Sequence, residues 1–325
     1  METRRRLRGQ KARERQKERM ILTGAALLSL LGIASGLYGL RVWLLGGIAG
    51  ATALSAELIC LRIRKRKPDF RAAQSVLDGW ILLMLMPVTV PVPLLIISCV
   101  FAIIIGNFRI KGDTAPVIPA APAGFCLAWL IRRAGVMQFP AAKGAVPLFS
   151  VNRSLLSAGA SAGWNTHFRF PPNPVDWIIG VPGLPLGSCS LFLLLVIAAV
   201  FLVRNNSSGY VIVPMLLPLV CAFCFFTFFR FPVKASAAVL MCNQLLFSAV
   251  FIYGKTGFAP PKTAGVLFGL MTASGILWTL RYNSEAVMWV GVVLGPAAAG
   301  LRFLIRWESR SRHKNGTDNK KTLPV

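Results

Sequence analysis

Apolar residues in this chain fall in long uncharged blocks, not in the alternating or one-sided stripes of soluble strands and helices. Blocks occupy 21–38, 42–60 with Glu57 near its end, 114–131, 177–203, 205–229, 235–254, 263–280 and 286–301. A helix crossing a hydrocarbon core of roughly 30 Å needs about 20 such residues, so each block predicts one membrane span. The stretch 72–108 is too long for one helix and carries Pro87, Pro91 and Pro93 at its centre. Proline removes a backbone donor and stops a helix, so two short spans joined at MPVTVPVP are predicted there.

The expected fold is therefore an all-α polytopic membrane protein of about ten transmembrane helices. Charge placement supports an even number. With the amino tail inside, ten spans also put Arg62 to Lys67, Arg109 with Lys111, Arg204, Lys255 with Lys262 and the tail from Arg302 inside, whereas nine export a tail bearing seven Lys/Arg. The connection carrying Arg132, Arg133, Lys143, Arg153 and Arg169 falls outside, which long loops tolerate. Two five-helix repeats are expected, each with a short third span running into a proline-bearing break, LMLMPVTVPVP and YGKTGFAPPKT. Broken helices in matching positions point to a site at the repeat interface. The expected organisation is a basic cytoplasmic tail 1–19, a first repeat 20–133, an extracytoplasmic connection 134–185, a second repeat 186–305 and a basic cytoplasmic tail 306–325.

Composition agrees with the pattern. Of 325 residues, 55% are hydrophobic and 14% charged, outside the usual soluble balance, and mean hydropathy is +0.63. The net charge of +25 sits in the tails and in strips between apolar runs, not on a basic helix or an aromatic-interleaved patch, which excludes a nucleic-acid partner. Nine Lys/Arg in the first 19 residues precede a retained first span, because Arg41 leads into a further apolar run where a cleavage site would be needed. The seven cysteines lie in or beside apolar runs without the spacing of a disulfide framework, and Cys221 with Cys224 lacks the further ligands of an iron–sulfur site. They read as helix-packing residues.

Few residues carry candidate chemistry. Asp78, in SVLDGWILL, places a carboxylate in or beside a membrane span, where ionisable groups are costly and either paired or functional; it also reads as a helix-end residue. Gly79 after it admits a close approach by a helix or a ligand. Glu57 is expected to pair with Arg62 or Arg64, and Glu285 to open a helix with Asn283 or Ser284 as N-cap. The long connection, rich in Gly, Ser and Asn, is a candidate polar surface, but it holds no nucleophile, base and orienting acid in sequence. His167 is the only histidine before the carboxyl tail, so histidine-ligated zinc or haem is excluded and no metal site is expected.

Taken in order, these features resemble the D subunit of the Rnf ion-translocating electron transport complex, which is similar to the B subunit of the sodium-translocating NADH:quinone reductase. SVLDGWILLMLMPVTVPVP with FAIIIGN resembles the family's Asp-Gly helix and proline break, and GVLFGLMTASGILWTLRYNSEAVMWVGVVLGPAAAGL resembles its last two helices. Where the family has Asn-Pro-Phe-Asn-Pro-Ala, FRIKGDTAPVIPAAPAGF keeps prolines but loses both asparagines, and YGKTGFAPPKT lacks the aspartate of a later signature. The family attaches FMN by a phosphoester to a threonine in a Gly-Ala-Thr-Pro run. Here AAKGAVPLFS matches at Gly144, Ala145 and Pro147, while Val146 stands where the threonine belongs.

The resemblance implies a subunit that catalyses nothing alone, within an Rnf-like ferredoxin:NAD oxidoreductase complex that moves Na+ or H+. It implies other complex subunits and membrane lipid as partners, and a cofactor site at Asp78, Gly79, Gly144 and Val146. Covalent FMN attachment is predicted absent, and non-covalent flavin stays open. It further implies a multi-pass protein of the prokaryotic cytoplasmic membrane with both termini inside. A flavin-free structural or assembly subunit and a stand-alone small-solute permease or channel remain as alternatives.

Overall fold

A left-handed glycine sets the first helical hairpin. The computed structural model describes residues 2–65, 71–108, 116–140, 146–149, 156–157, 183–204, 244–254 and 285–318. Helix α1 (Glu2–Tyr38) ends where Gly39 takes φ 80° and its N–H returns to the Ser35 carbonyl at 2.7 Å, a geometry that a Cβ opposes. Helix α2 (Arg41–Ile63) starts two residues later, so Tyr38 and Arg41 stand together at one end of the hairpin. The buried face of α1 holds Leu27, Leu30, Leu31, Ala34 and Tyr38, spaced three and four apart as one helical face requires.

Helix α3 (Arg71–Met84) packs along a stripe of small residues on α2. A Cβ on Gly79 would stand 2.8 Å from both the Ala49 carbonyl oxygen and the Ala53 Cβ, so the two backbones approach as closely as glycine permits. Beside this contact the Trp80 indole N–H donates to the Gly46 carbonyl at 3.0 Å. Small-residue contacts of this kind hold helices together where lipid removes the hydrophobic incentive to associate. Helices α4 (Val92–Gly106) and α5 (Ala120–Met137) close the group, each entered through an extended proline, Pro91 and Pro119.

The remaining described elements are the two-residue strands β1 (Phe139–Pro140) and β2 (Leu156–Ser157), paired antiparallel, and a 3-10 turn at Leu186–Ser188. After them come α6 (Leu191–Val203), the four-residue α7 (Leu245–Ser248) running into a π turn at Ala249–Tyr253, and α8 (Ala286–Asp318). Tyr253 donates its hydroxyl to the Val287 carbonyl at 2.7 Å, and Arg302 reaches the Pro116 carbonyl at 3.1 Å, which seats α8 on the rest.

Outward faces are apolar. Ile97, Val100 and Ile104 on α4 and Phe192, Leu195, Val196 and Val200 on α6 are exposed at helical spacing, surfaces that suit lipid and not water. Together with three helices long and apolar enough to cross a bilayer, they make this a multi-pass membrane protein.

The expected ten spans in two five-helix repeats are not found. Among the described residues there are eight α-helices, and only Glu14–Tyr38, Arg41–Ile63 and Val287–Ile305 reach membrane length. The physical reason is that an apolar run is not a helix of the same length. The run 72–108 divides at its prolines into helices of 14 and 15 residues. The described end of the run 177–203 is helical only from Leu191, after the turn that follows Pro185, and residues 244–254 form one short helix and a π turn. The segments 205–229 and 263–280 lie outside the described residues, as does most of YGKTGFAPPKT. Helix α1 includes residues 2–19, and α8 runs on through residues 306–318.

Candidate functional site

The proline break between α3 and α4, residues 85–91, leaves buried carbonyls that no helix satisfies. The last turn tightens, with the Leu85 and Met86 N–H groups bonding to Leu82 and Leu83, and Val90 turns back to Pro87. The carbonyls left over are taken by three other parts of the chain. Gln244 Nε2 donates to Leu85 at 3.0 Å, and the Leu186 N–H donates to Met86 at 3.2 Å. Arg41 Nε donates to Val88 at 2.8 Å and Nη2 to Val90 at 3.4 Å. The Thr89 hydroxyl donates to the Gln138 carbonyl at the end of α5.

Arg41 does more than close the break. Its Nη1 donates to the Pro147 carbonyl at 3.0 Å and to Leu148 at 2.7 Å, while the Val146 N–H donates to the Tyr38 carbonyl at 2.9 Å. Arg41, only 3% exposed, thus fastens Pro147 and Leu148 of the long connection onto the break, while the Tyr38 carbonyl holds Val146 at the α1–α2 turn. Its planar fork of five donors suits this task as an ammonium does not. The partners of Arg41 are carbonyl dipoles, unlike those of Arg133 and Arg204, which pair with Glu285 and Glu18.

The residues expected to form a cofactor site fall at different levels of α3. Gly79 is buried against α2, and Asp78 beside it is half-buried, roughly 10 Å below the break at the rise of an α-helix. Val146 lies at the break, half-buried against the core. Gly144 lies outside the described residues, as do Cys221 and Cys224. Phosphoester attachment needs an oxygen nucleophile at position 146, and the valine side chain has none, so the residues present do not fit a covalent flavin there.

Two acidic residues have partners that sequence reading missed. Glu57, buried on α2, accepts from Asn107 Nδ2 at the end of α4 at 2.6 Å, in place of Arg62 or Arg64. Glu285 is buried immediately before α8, where its Oε1 accepts from the Trp129 indole at 3.2 Å and from Arg133 at 3.4 Å. Arg133 also lies 5.3 Å from the Trp129 ring centre, and Trp129 meets Trp289 edge-on at 5.5 Å. Burial holds the Glu285 carboxyl above its ordinary range despite the opposing pull of Arg133 and Trp129. For Arg41 the only sequence signal was a single cation between two apolar runs.

The family model described as NQR2, RnfD, RnfE matches residues 10–296, from within α1 through α7 and into the first part of α8. The chain belongs to the NQR2, RnfD, RnfE family. No curated protein matches it. In this family member the matched region contains both the Asp78-Gly79 helix with its proline break and the segment bearing Val146, so the family likeness extends beyond the short motifs to most of the chain.

Proposed function

We propose that this NQR2, RnfD, RnfE family protein is a membrane subunit of an Rnf-like ion-translocating electron transport complex, and that it works without a covalently attached FMN. The observation that carries the reading is Val146. A match over residues 10–296 supports family-level function, while the flavin-bearing position of the resemblance holds a side chain that cannot form a phosphoester. Electrons then pass through cofactors of other subunits. This chain's own residues supply a membrane scaffold: Arg41 and Tyr38 fix residues 146–148 on the proline break, and Gly79 locks α3 to α2.

In this reading the membrane is the cytoplasmic membrane of a prokaryotic cell. Both basic helix ends, nine Lys/Arg within residues 1–19 and seven from Arg302 onward, lie on its cytoplasmic side, as the positive-inside tendency favours. In this reading Asp78, a half-buried carboxylate on α3, serves the assembled complex, as ionisable groups in or beside membrane spans commonly do.

The test is purification of the tagged chain from native membranes under mild detergent. Other Rnf-like subunits are expected to copurify, and the intact mass of the chain is expected to equal the 35.3 kDa polypeptide. An added flavin phosphate mapped to residues 141–150, or a chain that purifies alone and conducts a small solute in proteoliposomes, overturns the reading.

A further inference from the structure

Exposed cations gather at one end of three helices: Arg15 and Lys17 on α1, Arg62, Arg64 and Lys65 at the end of α2, and Arg204 at the end of α6. Arg204 Nη1 lies 3.6 Å from Glu18 Oε1, which fixes the end of α6 beside α1. The end of α2 reaches the same level by register. Helices α1 and α2 run antiparallel from the Gly39 turn, and a Cβ on Gly46 would stand 3.7 Å from the Leu31 side chain. Arg62 lies 16 residues beyond Gly46 and Arg15 lies 16 residues before Leu31, so the two come level at the rise common to α-helices.

That level is the edge of a bilayer. From Gly39 back to Arg15 the helix rises about 36 Å, more than the roughly 30 Å of a hydrocarbon core and less than the full thickness of about 40–45 Å. With the α1–α2 turn at one face of the membrane, the cations stand among the headgroups of the other.

Each helix also sets exposed carbon beside the charge. Ile21 follows Lys17 by one turn and is 70% exposed, Ile63 between Arg62 and Arg64 is 76% exposed, and Val203 next to Arg204 is 86% exposed. The same border on three helices matches a ligand that joins an acyl chain to an anionic headgroup. A nucleic acid or an acidic protein meets the cations and leaves the apolar border unused. Arg64 and Arg204 stand at helix C-caps, where the helix dipole already favours a cation. That account does not reach Arg15 and Lys17, which lie well inside α1. Glu14 and Glu18 on α1 offset only part of the charge.

We propose that this basic collar binds anionic phospholipid, with the phosphate among the six cations and the acyl chains along Ile21, Ile63 and Val203. Clusters of basic residues at the border of a membrane helix attract anionic lipid in this way. The inference requires only that the chain spans a membrane, and it stands whether or not the protein belongs to an electron transport complex.

The test is electron spin resonance of the full-length chain in phosphatidylcholine bilayers that carry a trace of spin-labelled phosphatidylglycerol or spin-labelled phosphatidylcholine. The chain is expected to prefer the glycerol lipid by about fivefold, the effect of one engaged cation, or more. Added salt is expected to weaken the preference by screening. The variant Arg62→Gln/Arg64→Gln/Lys65→Gln/Arg204→Gln is expected to lose most of it. Equal association of the two lipids, which a collar reserved for an acidic protein or a nucleic acid would also give, overturns the proposal, as does a variant that keeps the parent's preference. Inorganic phosphate that displaces the lipid more strongly than chloride at equal ionic strength marks a site for the free anion and overturns it too. Should the fourfold variant fail to insert, Glu18→Gln decides: removing the carboxylate beside Arg204 is expected to raise the preference, and a preference that does not rise overturns the proposal.

Discussion

Replacing Arg41 by alanine removes the donors for four carbonyls at once. Those of Pro147 and Leu148 belong to exposed residues and regain water. Those of Val88 and Val90 do not, since these residues are 1% and 0% exposed. Stranding a buried acceptor costs about 1–3 kcal/mol, so the two together cost about 2–6 kcal/mol. Releasing a guanidinium that is itself costly to bury offsets part of this, which places the expected loss near about 3 kcal/mol. Denaturant titration of the chain in detergent micelles reads the loss directly. Trypsin reads its location, because Lys143 and Arg153 flank the clamped residues, and faster cutting there is expected once Pro147 and Leu148 are released. Arg41→Lys is expected to fall between the two, since one ammonium cannot reach Val88 and Leu148 together. Parental stability and an unchanged cutting rate in Arg41→Ala would show that the clamp carries no load and refute the reasoning.

Other perturbations test separate contacts. Gly79→Leu drives a branched side chain into Ala49 and Ala53 and is expected to cost about 1–3 kcal/mol by overpacking; Ala53→Gly is expected to restore part of the loss, and a neutral Gly79→Leu contradicts the close packing. Asp78→Asn is expected to abolish coupled ion transport in vesicles containing the assembled complex at equal subunit levels, whereas unchanged transport reduces Asp78 to a helix-surface residue. Glu285 favours its protonated form when folded, so its contribution to stability is present at low pH and declines as pH rises through its raised pKa. Glu285→Gln is therefore expected to flatten the pH profile of unfolding on the alkaline side and to match or exceed the parent at pH 7; a steeper profile in the variant contradicts the assigned direction.

Much of this protein is readable along the chain. The uncharged runs mark α1, α2 and α8, because a membrane helix must be apolar over its whole crossing. Pro87, Pro91 and Pro93 mark a break that the structure has between Met84 and Val92, because a proline cannot donate to the turn before it. Valine at 146 excludes a phosphoester whatever the fold. The number of membrane-length helices was not readable, because hydropathy measures the run and not where its backbone stops being helical, as residues 183–190 and 244–254 illustrate. Partners were hidden for a different reason. Arg41 bonds carbonyls 47, 49, 106 and 107 residues away, and Glu285 meets Trp129 and Arg133 at separations of 156 and 152. Every residue carries a carbonyl, so nothing in the identities of Val88 or Leu148 announces that an arginine will need them. Only the packing of α1, α2 and the proline break, which turns particular carbonyls away from both helix and solvent, decides which buried groups must find each other.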